Sequence, residues 1–411
     1  MIKKYLAGKG IDVGKEHALL QAEHKYIAPD NLYLLRNEVG IETYDYLYSH
    51  NCINDTKYFR ILLYEWFLVV KKGGYIIIDF EDNEILDLDR LKDEIATLFQ
   101  YRNKHKIVNK EAKGKLKKVV VKKLESIRND DGINQWTFGI VSNGKRKDLI
   151  KKTIASIRAL KIPQYEIIFC GTYHGEVGGD IRYINFTEHD DRGWITRKKN
   201  LVCEKARFKN IVVIHDRINF ESTWFEGMKR WGDYFDVLGG PIYYPTMGVT
   251  KTNWDTMGFR ITPERLNRVN AVSAGLDPTD WDRYAIIGGP LIIIKKSIWK
   301  LAKWNEDLFW GDWEDVELSH RQSDEGILLR FNPWAEFRSE IVTVPLLNFR
   351  YEKDTRKLGR LRTNPLFLVG IRVLDLLGFR RKGRLVRLIS RMLDRIYKAK
   401  SWKREAGTLN R

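Results

Sequence analysis

Between Trp136 and Ile214 the chain repeats one pattern, and that pattern restricts the fold more than any other feature of the sequence. A short apolar run ends in a polar or glycine turn, and a segment with helical spacing usually follows. Thr137 to Val141 stops at Ser142-Asn143-Gly144, after which Leu149, Ile150, Ile154, Ile157 and Leu160 share one helical face. Tyr165 to Cys170 stops at Gly171-Thr172, and Ile181 to Phe186 makes a third run. Asp190-Asp191-Arg192-Gly193-Trp194 then leads into a segment containing Arg197, Lys198, Asn200 and Ala206. Ile211 to Ile214 is a fourth run, broken off at His215-Asp216-Arg217. Strands alternating with helices predict an α/β fold with a largely parallel sheet.

Residues 1–100 predict a second, smaller α/β unit. Gly10-Ile11-Asp12-Val13-Gly14 reads as a strand entering a glycine turn, and Tyr44 to Tyr48 as another strand. Tyr58 to Val70 has helical spacing, and Lys71-Lys72-Gly73-Gly74 turns into a buried strand, Tyr75 to Phe80. Residues 101–132 read as a basic, partly helical linker closed by Asn129-Asp130-Asp131-Gly132. Charge divides the chain further. Its net +18 is concentrated in residues 101–128, with eleven Lys/Arg against two Glu, and residues 361–411, with fourteen Lys/Arg against three acids. The protein therefore carries two basic appendages on a slightly acidic body.

Three scattered cysteines, Cys52, Cys170 and Cys203, offer neither a disulfide framework nor a zinc spacing, which fits a reducing compartment. The start MIKKYLAGKGIDVGKE lacks the apolar stretch of a signal peptide, and no run of about 18 apolar residues suggests a membrane span. In the tail, Leu385, Val386, Leu388, Ile389, Met392, Leu393, Ile396 and Tyr397 form an apolar stripe. Arg384, Arg387, Arg391, Arg395 and Lys398 lie opposite it. Such a helix suits an anionic membrane interface, or packing on the catalytic domain or a second copy. The expected location is cytoplasmic, on the inner face of the membrane. The lysine run lacks interleaved aromatics, so nucleic acid is not an expected partner.

The stretch WNEDLFWGDWEDVELSHR, Trp304 to Arg321, holds the candidate chemistry. Glu314 and Asp315 stand together behind Trp304, Trp310 and Trp313 at the start of a helical segment. A carboxylate walled by aromatic rings suits a general base facing a sugar, although acidic residues also cap helix N-termini.

Taken together, residues 134–350 resemble the inverting GT-A-fold glycosyltransferases that build bacterial surface polysaccharides. The resemblance rests on FGIVSNGKRKDLIKKTIASI, on Gly193 with Arg197 and Asn200, and on His215-Asp216-Arg217 closing the central strand. Ile287-Gly288-Gly289-Pro290-Leu291 and the Trp-Gly-x-x-Glu-Asp phrase complete it in order. It implies an α/β GT-A domain over residues 133–350, a nucleotide-sugar donor (a UDP-sugar), and a glycan or lipid-linked glycan acceptor. Asp315 would be the base, with Glu314 fixing it or touching the acceptor beside Gly289 and Trp313. Asn143, Thr172, Asp191, Arg192, Gly193, Arg197 and Asn200 would line the donor. A divalent metal, Mn or Mg, would sit at Asp216 with His215, or with help from His320; a metal-poor site with Arg217 on the phosphates is the alternative. Residues 1–100 resemble the Rossmann-like S-adenosylmethionine-dependent methyltransferases in IDVG and KKGGYIIIDF. They depart at the first turn, where Lys15-Glu16-His17 replace further glycines, so the unit reads as a degenerate, non-catalytic scaffold, and S-adenosylmethionine is not an expected cofactor. A working methyltransferase on glycan or RNA, or a non-enzymatic nucleic-acid binder, are the rival readings. Residues 351–411 form the basic amphipathic tail.

Overall fold

The computed structural model describes residues 2–14, 24–27, 29–53, 58–83, 86–99, 105–127, 132–175, 179–244, 249–252, 258–259, 272–273, 285–339 and 341. The tail, 351–411, lies outside the described residues.

The chain is a mixed α/β protein built on two main sheets. The first is made by β1 (Gly10–Gly14), β2 (His24–Ile27), β3 (Tyr44–His50), β4 (Val70–Glu81), β5 (His105–Lys113) and β6 (Leu116–Lys123), in the order β2-β1-β3-β4-β6-β5. Strands β1 to β4 are parallel, and β6 and β5 continue the sheet antiparallel. Helices α1 (Leu35–Val39), α2 (Phe59–Val69) and α3 (Leu88–Phe99) connect them.

The expected linker at 101–132 is corrected here. Most of it is the β5–β6 hairpin, turned at Gly114. Val119, Val120 and Val121 are fully buried in β6. β-branched residues at the centre of a lysine-rich run favour a strand with a solvated rim over a helix. Lys123, also buried, donates to the carbonyls of Phe67 and Val70 and pairs with Glu42.

The second sheet comes from β7 (Gln135–Ser142), β8 (Gln164–Gly171), β9 (Ile181–Ile184) and β10 (Asn210–His215), with α4 (Lys147–Ala159) and α5 (Ile195–Lys205) between them. Beyond these lie β11 (Ile218–Phe220), α6 (Trp224–Trp231), β12 (Val237–Gly239), β13 (Ile242–Tyr244) and β14 (Val249–Thr252). Three two-residue strands follow, β15 (Gly258–Phe259), β16 (Val272–Ser273) and β17 (Ala285–Ile286). The described part closes with β18 (Leu291–Lys295), α7 (Lys296–Leu301), α8 (Glu314–Asp324), β19 (Leu329–Phe331) and β20 (Phe337–Ser339). The main order is β19-β12-β18-β10-β7-β8-β9. The expected parallel alternation is present from β7 to β10, while β18 inserts antiparallel beside β10. Strand β7 is buried from Trp136 to Ser142, as a central strand covered on both faces must be. Its Gly139 is required by packing: a Cβ there would lie 2.1 Å from Val202 Cγ1, so α5 rests directly on the strand.

The two sheets are not independent units. One hydrophobic cluster runs from Ile11 and α2 through Cys170, Val202 and Ile292 to Leu318 and Phe331. Every residue of α2 is buried. Within this seam Glu65 pairs with both Arg36 and Arg330, all three inaccessible to solvent. Arg36 also donates to the Trp231 carbonyl (2.8 Å), and the Arg330 guanidinium lies 4.6 Å over the Trp231 ring. Arg60 pairs with Glu94 and donates to the Ser323 carbonyl (3.0 Å). Removing one member of a buried ionic set strands the others without solvent. Glu65→Ala should therefore lower the unfolding free energy in urea by about 3–5 kcal/mol; a loss under about 1 kcal/mol, the surface-pair scale, would show that the triad is not holding the halves together.

Candidate functional site

The site forms where the parallel strands of the second sheet end. Ser142 closes β7 opposite Gly171 of β8, and His215 closes β10 opposite Val141. Along the antiparallel ladder Ile214 faces Leu291, and the His215 N–H donates to the Pro290 carbonyl (3.0 Å). Asp216 and Gly289 are the next residues on either strand. The Gly289 N–H in turn donates to Asp315 Oδ2 (2.8 Å), and Asp315 Oδ1 accepts the Val316 N–H (2.9 Å). The end of the central strand and the acid pair opening α8 are thus both hydrogen-bonded to the Gly289-Pro290 turn. A Cβ at Gly289 would stand 2.8 Å from Glu314 Oε1 and 3.1 Å from Lys199 Nζ, so the ends of those two side chains pack closely over this glycine.

Helix α8 starts at Glu314, as the sequence suggests, with Trp313 as its N-cap in the left-handed region, φ 62°. A bulky aromatic there costs roughly 1–3 kcal/mol, which the surrounding structure must offset. Trp313 is 59% and Trp310 67% exposed, two large aromatic side chains open to solvent in the loop before α8. Trp304 is different. It is buried beneath Lys199 Nζ, 5.5 Å from the ring centroid, and belongs to the core.

The donor-side candidates separate into two groups. Asn143 is exposed just past β7, its Oδ1 accepting the Lys145 N–H (3.2 Å), and Thr172 is half-buried just past β8. Asp191 and Arg192 are exposed, and the Arg192 guanidinium lies 3.9 Å over Phe309. Gly193 accepts the Trp310 N–H through its carbonyl (2.9 Å), tying this turn to the tryptophan loop. Arg197 and Asn200 are corrected. Arg197 pairs with Glu306 and Glu204. Asn200 is buried; its Oδ1 accepts from Trp299 Nε1 and the Trp304 N–H, and its Nδ2 donates to the Trp304 carbonyl and Glu306 Oε1. All four hydrogen-bonding positions of that amide are filled, so it pins the 299–306 segment and has nothing left for a ligand.

The residues between them turn toward the site. Lys198 Nζ donates to the Ser142 carbonyl (2.9 Å) and pairs with Asp190. Lys199, fully buried, reaches Glu314 Oε1 at 3.2 Å. Arg146, just before α4, holds Asp216 Oδ1 at 2.9 Å, and Ser142 Oγ donates to Asp216 Oδ2 (2.5 Å). Neither Arg146 nor Ser142 stands out in the sequence. The only signal is the polar run Ser142 to Arg146 between a strand and a helix.

The expected metal site does not fit these residues. Asp216 is buried, and both its oxygens are taken by Ser142 and Arg146. His215 faces positive neighbours rather than carboxylates, and His320 lies further along α8. Among the described residues no group of three or more His, Cys, Asp or Glu is arranged to hold a metal ion. Arg217 is also turned away from a phosphate, donating to Ser339 Oγ (3.2 Å) and the Ile341 carbonyl (3.4 Å).

No protein-family model matches the chain, and no curated protein matches it. Solved structures overlap with about half of it at low similarity. GalNAc-T7 with UDP, GalNAc and Mn2+ is 14% identical, covering 50% of this chain and 43% of that one, with a TM-score of 0.34. TarS 1-349 of S. aureus is 10% identical, covering 50% and 60%, with a TM-score of 0.36. The inositol-1-phosphate CTP transferase from T. maritima is 11% identical, covering 52% and 94%, with a TM-score of 0.34. The chain thus spans less than two thirds of the first two.

Burial first, and then the positive Lys199, Arg217 and Arg146, hold the His215 imidazole well below its usual pKa. The unfolded chain takes up that proton below about pH 6.5 while the folded chain does not, so acidification favours unfolding and neutral pH is unaffected. His215→Gln should shrink the loss of urea midpoint between about pH 7 and about pH 5; an unchanged loss would mean that His215 protonates freely in the folded protein.

Proposed function

We propose that the chain is a glycosyltransferase that moves a sugar from a nucleotide-sugar donor to a glycan hydroxyl in one inverting step. The observation that carries this reading is the convergence on Gly289: Asp315 accepts its N–H at 2.8 Å beside the end of the central strand, under two exposed tryptophans. Crevices outside the carboxyl ends of parallel strands are where α/β sheets take nucleotides. Exposed indoles give an acceptor ring a flat apolar surface. A half-buried carboxylate beside that surface can receive the proton of the attacking hydroxyl.

Asp315 takes the proton, the acceptor oxygen bonds to the anomeric carbon, and the bond from that carbon to the donor phosphate breaks on the opposite side. Gly289 and Val316 N–H groups fix the carboxylate, while Lys199 on Glu314 fixes its neighbour. Asn143 and Thr172 follow the ends of adjacent strands and would line the donor in this reading. The donor is a UDP-sugar in this reading. The acceptor is a lipid-linked glycan of a cell-surface polysaccharide, reached through the arginine-faced tail at the inner membrane surface. Among the described residues no helix is long and apolar enough to cross a membrane.

Asp315→Asn keeps an oxygen for the Gly289 N–H and removes the base. Sugar transfer should fall by about 10²–10⁴-fold, the scale of general-base catalysis, with nucleotide binding unchanged. Transfer at the wild-type rate by this variant would end the assignment.

A further inference from the structure

The carboxylate that would head a metal site is already committed to a protein cation. Gly144 N–H donates to Ser142 Oγ (2.9 Å), Ser142 Oγ donates to Asp216 Oδ2 (2.5 Å), and Asp216 Oδ1 holds Arg146 Nη1 (2.9 Å). Asp216 is 5% exposed along its side chain while Arg146 is 41% exposed, so the anchor is inside and the guanidinium stands at the mouth. One of its five donors is spent on Asp216; the planar fork can present others to an anion. Of the other acids nearby, Asp190 is paired with Lys198 and Glu314 with Lys199, and Asp315 is held by two backbone N–H groups. A hard divalent ion takes about six oxygen ligands and here would have to displace Arg146 to reach a single carboxylate.

We propose that Arg146, anchored on Asp216, is the cation that binds the donor's diphosphate, and that transfer proceeds without a divalent ion. This rests on the glycosyltransferase reading above. In the step, the acceptor hydroxyl oxygen forms its bond to the anomeric carbon and its proton passes to Asp315. The electron pair of the breaking carbon–oxygen bond stays on the distal phosphate oxygen, and the nucleoside diphosphate leaves with that added charge against the Arg146 guanidinium. Products are the glycoside, the nucleoside diphosphate and a protonated Asp315 that returns its proton to water. An arginine suits this role because its charge is fixed and its geometry matches two phosphate oxygens.

The test is calorimetry on the full chain with the diphosphates of uridine, guanosine, cytidine and thymidine, each in EDTA and in manganese or magnesium chloride. One of them should bind in EDTA with a Kd within about twofold of its value with metal. Arg146→Ala should weaken that binding about 10- to 100-fold, and Arg146→Lys should recover only part of it, as expected for losing one or two charge-assisted hydrogen bonds. Asp216→Asn is the second probe. It keeps a partner for Ser142, leaves Arg146 in place, and should bind the nucleotide in EDTA within about tenfold of wild type. Binding that appears only with metal and disappears in Asp216→Asn overturns the proposal and leaves the transferase reading standing. No binding of any diphosphate under either condition, by protein with a normal melting curve, removes both. Wild-type affinity in Arg146→Ala would also overturn the proposal, reducing Arg146 to a counter-ion of Asp216.

Discussion

The antiparallel insertion of β18 beside β10 is the constraint on which the site depends. Parallel strands alone would deliver Ser142, Thr172 and Asp216 to one edge and stop there. Because β18 runs the other way, its entrance, not its exit, lies at that edge, and Gly289 arrives next to the end of β10. The Gly289 N–H then donates to Asp315, which ties the start of α8 to that turn. Residues far apart in sequence are joined through a reversal of strand direction and one backbone hydrogen bond.

Much of the scaffold was legible from the sequence, and the reasons are local. The apolar runs at 137–141, 165–170 and 211–214 carry enough β-branched and aromatic residues to define central strands, and their turn residues mark the ends. The start of α8 at the acid pair was legible because acidic residues favour a first helical turn. The 101–132 stretch misled because lysine density suggests a solvated connector, whereas the buried Val119-Val120-Val121 core decides the conformation. Which residues of α5 reach the strand ends was also hidden. Adjacent residues on a helix point in different directions, and sequence does not reveal that Asn200 fills all its bonds internally while Lys198 and Lys199 turn to the cleft. A tryptophan held at positive φ leaves no mark in sequence either, although exposure at Trp310 and Trp313 follows from that loop.

The electrostatics of the cleft follow from pairing rather than from net charge. The buried lysines are tolerated because each meets a carboxylate or carbonyl, Lys198 with Asp190 and Ser142 and Lys199 with Glu314, while the exposed Arg146 covers the buried Asp216. Such pairs fix positions more than they add stability. They hold Glu314 and Asp216 in fixed orientations at the strand ends. His215, set among these cations, stays neutral and serves as part of the wall.

The ionic triad at the seam bears on why the first sheet belongs to this protein. Arg330 and Trp231 come from the second sheet's half of the chain, yet the acid that neutralises Arg330 is Glu65 on α2. A fragment starting after the β5–β6 hairpin would present that arginine, and the apolar surface around Phe331 and Leu318, to water. The first sheet therefore buttresses the second, with α2 forming a wall of its neighbour's interior.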